Sequence, residues 1–412
     1  MSGDGFSTFY WEFLCNGIPS EISLNYCSHG CPFCFANLNS MDQHRRKGQP
    51  LRYADTKAIM ALLRDFHKRK SIEAFWLREG YPVLISNKVD PFANSNFRVT
   101  LPIIEVMTEL DIPIAFQTRG GRGIDEALEF LKPSVWYISI DHSDDATRKQ
   151  FAPANPSIEE RYELIAKLKS HGHEVVLGLN PLSLEWVPEP EIILQRCKDL
   201  GVWGVWTELL HFNENQIRAA RTQGGMPEEM LNRYRIRKKI NPENFDHLLR
   251  TRAAAREIGL QVYGTGQSTY SRYWDAFKRT YPKVLPTLQD WVNHAHEQGW
   301  TSDRLISFQE FADFYLPHLP SEPGLKLGYY IKSLAHEIHR EYKERGTPWT
   351  DDIDWKEVLR IGWSDPRIRW NPVKTPAFAY CSDGNGGLLR DEQGLPYMAF
   401  WKEYEEFLAE AI

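Results

Sequence analysis

The run Leu24-Asn25-Tyr26-Cys27-Ser28-His29-Gly30-Cys31-Pro32-Phe33-Cys34-Phe35 spaces three cysteines as C-x3-C-x2-C, directly after a candidate β-strand at Glu21 to Tyr26. At this chain's cysteine frequency, chance produces that spacing in about one such sequence in a thousand. Thiolates are the soft ligands that iron-sulfur clusters require, and a [4Fe-4S] cluster takes one thiolate per iron. Three cysteines leave one iron open. An open iron accepts a bidentate ligand, such as the amino and carboxylate groups of a methionine moiety, and passes an electron into an adjacent sulfonium. Two other readings use the same residues: a zinc-stabilised binding protein with a closed Cys3His site completed by His29 or a distant histidine, and a nucleophilic cysteine. Zinc pairs usually come as separated short knuckles, and a lone nucleophile leaves two cysteines unexplained.

Outward from this loop, between about residues 20 and 265, short apolar or β-branched runs alternate with segments of helical period, the pattern of repeated β-α units and a parallel sheet. Candidate strands after the first are Pro82 to Ser86, Ile112 to Gln117, Val135 to Ile140, Glu174 to Leu179 and Val202 to Leu209. Among the helices, Asp55 to Lys70 puts Ile59, Leu62, Leu63 and Phe66 on one face. Another starts at Ser157, with Glu160 completing a capping box, and stops before Gly172. Asn241-Pro242-Glu243 opens a third, a cap followed by proline at the first helical position. Past about residue 270 the alternation gives way to helical patterns, Leu325 to Arg345 and Met398 to Ile412 among them. The expected division is an N-terminal segment 1–19, a core 20–270 and a mainly helical C-terminal extension 271–412.

The 412 residues are long enough for one large α/β domain with an appended region. With 42% hydrophobic and 25% charged residues, the chain is expected to fold. A net charge of -6 gives no global attraction to phosphate, so a nucleic-acid role needs a local basic patch. The N-terminus lacks a secretory pattern and no stretch approaches the roughly 20 apolar residues that span a bilayer, so the expected location is cytoplasmic with no membrane partner. Of the six cysteines, Cys15, Cys197 and Cys381 are scattered, unlike a disulfide framework.

The C-x3-C-x-(aromatic)-C motif at the end of a first strand resembles the hallmark of the radical S-adenosylmethionine (SAM) superfamily. Within it the chain looks most like the spore photoproduct lyase-like branch. The supporting segments are Ser86-Asn87-Lys88-Val89-Asp90-Pro91-Phe92, Gln117-Thr118-Arg119, Ser139-Ile140-Asp141 and Pro153-Ala154-Asn155-Pro156 with Arg161. The resemblance implies a partial (β/α)6 TIM-like barrel, with Cys27, Cys31 and Cys34 binding a [4Fe-4S] cluster. It also implies that Phe33 lies near the adenine, Asn87, Lys88 and Asp90 near the methionyl end, Arg119 at the SAM carboxylate and Ser139 near the ribose. The implied reaction is reductive cleavage of SAM to a 5′-deoxyadenosyl radical that abstracts hydrogen from a substrate. That substrate is a nucleic-acid base or nucleotide, or alternatively a small metabolite or peptide. The implied electron donor is a flavodoxin or ferredoxin. Spore photoproduct lyases carry a donor cysteine where this chain has Ser86-Asn87-Lys88-Val89, which argues against repair of that lesion. The acidic residue often found before the Pro-x-x-Pro segment is replaced here by Phe151-Ala152.

Three further signals remain. Cys381 is a candidate hydrogen donor reaching the barrel mouth from the C-terminal region, where Trp355, Trp363, Trp370 and Trp401 are expected to wall off water. Cys197 lies in a helical pattern and is expected in the core. The basic stretches Arg233 to Lys239 and His44 to Lys47 read first as solvated faces and second as phosphate contacts.

Overall fold

The computed structural model describes residues 6–8, 17–22, 24, 27–36, 38, 56–85, 89–236, 241–264, 274–322, 354–366, 368, 370–375 and 377–401. Its main sheet runs in sequence order through β1 (Phe6–Thr8), β2 (Ser20–Ile22), β3 (Val83–Ile85), β4 (Ile114–Thr118), β5 (Val135–Ser139), β6 (Glu174–Leu182), β7 (Gly204–Leu209) and β8 (Gln261–Gly264). β1 pairs antiparallel with β2, and every later neighbour is parallel. Among the described residues β1 and β8 are free edges, so this is an open, partial barrel of α/β class.

The six expected strands are present, trimmed or shifted by a few residues at their ends. Two more join them: β1, from the segment ahead of residue 20, and β8. Alternation fixes what each face touches. Outward side chains such as Val83, Phe116, Trp136, Leu177 and Val205 pack under the helices in the larger core. Inward ones, Leu84, Ala115, Tyr137, Val176, Trp206 and Tyr263, form a second apolar layer. Gly178 on β6 is required there, because a Cβ would sit 2.2 Å from the Tyr137 ring.

The helices covering the outer face are α1 (Thr56–Asp65), α2 (Ile72–Arg78), α3 (Phe97–Glu109), α4 (Ile124–Leu128), α5 (Asp145–Phe151), α6 (Ile158–Ser170), α7 (Pro190–Asp199), α8 (Glu214–Gln223), α9 (Glu228–Arg233) and α10 (Pro242–Glu257). α1 buries Ile59, Leu62 and Leu63 as its spacing requires, and Phe66 follows in a 3-10 turn. α6 carries its capping box: Glu160 N–H donates to Ser157 Oγ at 3.2 Å and Ser157 N–H to Glu160 Oε2 at 2.6 Å. Cys197 is fully buried in α7.

The C-terminal region closes the edge where the strands begin. In α11 (Trp274–Thr280), Ala276 and Phe277 join the inward layer, and Tyr281 Oη donates to Ile114 O at 2.5 Å and accepts from Val135 N–H at 2.8 Å. Beyond it, α12 (Leu288–Glu297), α13 (Phe308–Tyr315), α14 (Trp355–Ser364) and the hairpin of β9 (Phe378–Tyr380) with β10 (Met398–Phe400) share a separate core with Trp76 of α2 and Tyr81, just ahead of β3. Arg78 grips Glu322 with two bonds of 2.8 and 2.7 Å. Trp355, Trp363 and Trp370 are buried in that core, so they do not wall the barrel mouth; Trp401 is exposed. Large aromatic side chains call for burial, but the sequence does not say against which partner. The expected helix from Met398 begins instead as β10, whose three residues are all buried and whose first bonds back to Ile306. Its remainder past residue 401, and the expected Leu325 to Arg345 helix, lie outside the described residues. Among the described residues no helix is long and apolar enough to cross a membrane.

One buried histidine ties this fold to pH. His173, ahead of β6, accepts the Ser134 N–H at 3.1 Å, and burial pushes its pKa down to about 4. The unfolded chain therefore binds the proton first. Its stabilising contribution is full above about pH 6.5 and is lost as pH falls toward about 4. Urea unfolding of wild type and His173→Gln across that window is expected to show a shallower acid loss in the variant; parallel curves contradict this.

Candidate metal centre

In parallel α/β sheets, ligand groups collect at the carboxyl ends of the strands, and there β2 runs into the cysteine loop. Two successive turns shape it: Gly30 N–H reaches Cys27 O at 3.4 Å and Cys34 N–H reaches Cys31 O at 3.1 Å. Gly30 adopts a φ of +62°, which a side chain resists. Cys27 and Cys31 are buried and Cys34 is half-buried, and Cys34 lies close enough to both of the others to oppose their ionisation.

The loop is tied down on both flanks. Ser28 and Ser95 exchange N–H to hydroxyl bonds of 3.1 Å each. His29 places Nε2 3.2 Å from Asp90 Oδ2 and Nδ1 3.2 Å from Ala154 O. Asp90, just past β3, is itself an organiser: Oδ1 accepts from Phe92 N–H at 2.9 Å and Thr118 Oγ1 at 2.7 Å, and Oδ2 accepts the Arg119 N–H at 2.6 Å. Burial acts to raise its pKa, but the His29, Arg119 and Thr118 contacts outweigh it and hold the carboxyl below its ordinary value.

A second buried carboxylate, Asp141 after β5, receives Arg119 Nε at 3.2 Å on Oδ2. On Oδ1 it receives Arg161 Nη1 at 2.9 Å and meets His142 Nδ1 at 3.0 Å. Arg161 also donates to Ser139 O at 2.8 Å. Burial again opposes ionisation, and the two guanidinium groups with His142 overcome it, holding Asp141 well below the carboxylate range. Arg119 thus has one edge fixed, its guanidinium carbon 5.9 Å from the centre of the Phe33 ring. Phe33 is buried against Trp186 at 4.8 Å, and His142 stacks on the same indole at 4.7 Å. After Arg119 the chain turns through Gly120 and Gly121; a Cβ on Gly121 would lie 2.0 Å from Phe92 O, so only glycine lets this loop close against the Asp90 turn.

The donor set suits a metal-sulfur centre. Burial pushes the thiols up, Cys27 to about 11 and Cys31 to about 12, with Arg119 working against the rise at Cys31. Such thiols become thiolates when an adjacent cation supplies the missing charge. Among the described residues no three or more His, Cys, Asp or Glu side chains converge on a point that would hold one metal ion. A cluster makes no such demand, since each thiolate meets a different iron. One buried group nearby also lacks a partner: Asn155 Nδ2, whose geminal Oδ1 is 3.5 Å from Cys31 Sγ.

Residues 22–185 match the family model of the radical SAM superfamily. This segment is a radical SAM domain. Such a domain marks an enzyme, and members of that family use a [4Fe-4S] cluster and SAM. Solved structures with a similar course include a cysteine-to-alanine variant of spore photoproduct lyase with dinucleoside spore photoproduct. It is 14% identical, with a TM-score of 0.45, over 62% of this chain and 77% of that one. SuiB from Streptococcus suis bound to the precursor peptide SuiA is 15% identical, with a TM-score of 0.40, over 75% and 55%. SuiB bound to S-adenosylmethionine is 12% identical, with a TM-score of 0.32, over 59% and 46%. No curated protein matches the sequence.

Around the radical SAM loop the structure gathers Cys27, Cys31, Cys34, Phe33, Asp90 and Arg119, with Ser139 joined through Arg161 and Asp141. Asn87 and Lys88 lie outside the described residues. Cys381, half-buried beside β9, bonds through its backbone to Tyr397 and Leu389, and no described contact joins it to the loop. The basic stretch is spent internally: Arg233 pairs with Glu185 and Glu243, and Arg235 with Glu214, while residues 237–239 and 44–47 lie outside the described set. The roles of His29, Asn155, His142 and Trp186 went unread in the sequence. His29 was weighed only as a possible zinc ligand, and Asn155 showed itself only through the prolines on either side of Ala154-Asn155.

Proposed function

We propose that Cys27, Cys31 and Cys34 hold a [4Fe-4S] cluster with one open iron and that the enzyme cleaves SAM reductively to start hydrogen abstraction from an organic substrate. The observation that carries this is the placement of the three thiols at the carboxyl end of the first parallel strand, beside the half-buried guanidinium of Arg119, inside a radical SAM domain. When bound, the cluster supplies the electron that splits the sulfonium into methionine and a 5′-deoxyadenosyl radical.

The protein's own part is to bind, orient and exclude water. Arg119 is locked by Asp141 at Nε, and no hydrogen bond is described for its two terminal nitrogens, which suits the paired bonds a carboxylate accepts. Asp90 contributes by fixing the loop and the Arg119 backbone together. Asn87 and Lys88 are assigned to the methionyl end, Phe33 to the adenine side and Ser139 to the ribose. A flavodoxin or ferredoxin supplies the electron, and the barrel ends near residue 270.

Two substrates follow from different features. A nucleic-acid base or nucleotide follows from the motifs shared with the spore photoproduct lyase-like branch. A small metabolite or peptide is favoured by the internal ion pairs of Arg233 and Arg235, which leave those side chains occupied. Mobility shift with DNA and RNA across a salt series separates them, since phosphate binding weakens steeply with salt. Salt-sensitive binding that SAM and cluster loading leave intact supports the first; no shift at low salt removes it.

A further inference from the structure

Resting on the cluster assignment above, we propose that Asn155 donates a hydrogen bond to the Cys31 thiolate and so raises the reduction potential of the centre. Asn155 is 5% exposed and its Nδ2 has no partner among the described residues. Native proteins leave few buried amide nitrogens unsatisfied, and each one asks for an explanation. Here the explanation lies across 3.5 Å, the gap from Asn155 Oδ1 to Cys31 Sγ.

With Cys31 as a thiol, the sulfur donates and the amide oxygen faces it. As a ligand Cys31 is a thiolate and only accepts, so the oxygen becomes the wrong group to present. A half-turn about the last side-chain torsion exchanges oxygen and nitrogen at almost no steric cost. That one rotation satisfies the orphaned NH2 and gives the buried sulfur a donor.

The backbone leaves little else free to move. Asn155 N–H donates to Ala152 O at 3.1 Å, its carbonyl accepts Arg148 Nη1 at 2.7 Å, and prolines stand on the two sides of Ala154-Asn155. The same segment holds His29 of the cysteine loop through Ala154 O. Asn155 and the loop therefore keep their spacing, which a weak N–H to sulfur bond requires.

The sign follows from charge. Reduction adds an electron that spreads over the sulfurs, and a donor favours the more negative state, so its loss lowers the potential. Asn155 is thus a positioning and tuning residue.

The test uses the full chain, loaded anaerobically with iron and sulfide, as wild type, Asn155→Ala and Asn155→Ser. Iron and sulfide are counted first, and each protein is then titrated redox-potentiometrically with EPR detection of the reduced cluster. The expected result is equal loading, a reduction equilibrium constant about tenfold lower in the alanine variant, near 59 mV for one electron, and partial recovery with serine. Equal potentials in wild type and a fully loaded alanine variant overturn the proposal. So does an alanine variant that fails to load while serine loads at the wild-type potential, since that assigns Asn155 to loop folding. A wild type that takes up no iron instead removes the cluster assignment on which the inference stands.

Discussion

Replacing Cys31 with alanine is expected to abolish iron-sulfur loading and SAM cleavage together. Cys31 is the most confined of the three thiols, with 4% exposure, and it sits between Cys27 and Cys34 in the loop. Its removal leaves two thiolates for four irons, and the burial that raises Cys27 to about 11 then opposes ligation with less charge to repay it. Measured as 5′-deoxyadenosine formed under dithionite, activity should fall at least about a thousandfold, to the background of protein-free controls. A Cys31→Ala protein that still produces 5′-deoxyadenosine above that background contradicts the assignment. The fold is expected to survive, because the loss of one small side chain in a loop costs far less than the packed sheet beneath it provides.

The second large effect lies one layer below the loop. Asp141→Asn keeps the shape of the side chain but removes the charge that compensates Arg119 and Arg161, the latter fully buried. Breaking a buried pair by deleting one partner costs about 3–5 kcal/mol, because the remaining cation stays in low dielectric. The Arg161 link to Ser139 O and the His142 stack on Trp186 share that carboxylate, so the loss spreads across the ends of β4 and β5. Urea unfolding is expected to show the deficit, and SAM binding to weaken with it as Arg119 loses its fixed edge. A variant within about 1 kcal/mol of wild type contradicts the central position given to Asp141.

Much of this was legible in the chain because it is local. C-x3-C-x2-C is complete within eight residues, and the strands announce themselves by apolar or β-branched runs whose ends lie within a few residues of the sheet's own. Ser157 and Glu160 state their own cap. What stayed hidden is long-range: Cys31 meets Asn155 across 124 positions, and His29 meets Ala154 across 125. No periodicity encodes such a pairing. The same limit explains the tryptophans, whose size called for a shielded place without saying that the core shared with α2, rather than the barrel mouth, receives Trp355, Trp363 and Trp370. β8 escaped because Gln261–Gly264 is only four residues and is not bounded by an apolar run.

Anaerobic loading of the wild-type protein, followed by iron and sulfide counting and EPR after reduction with and without SAM, tests the central claim most directly. The account predicts about four irons and four sulfides per chain and a reduced-cluster signal that changes when SAM is added. A protein that binds zinc in place of iron, or iron whose signal is indifferent to SAM, contradicts it.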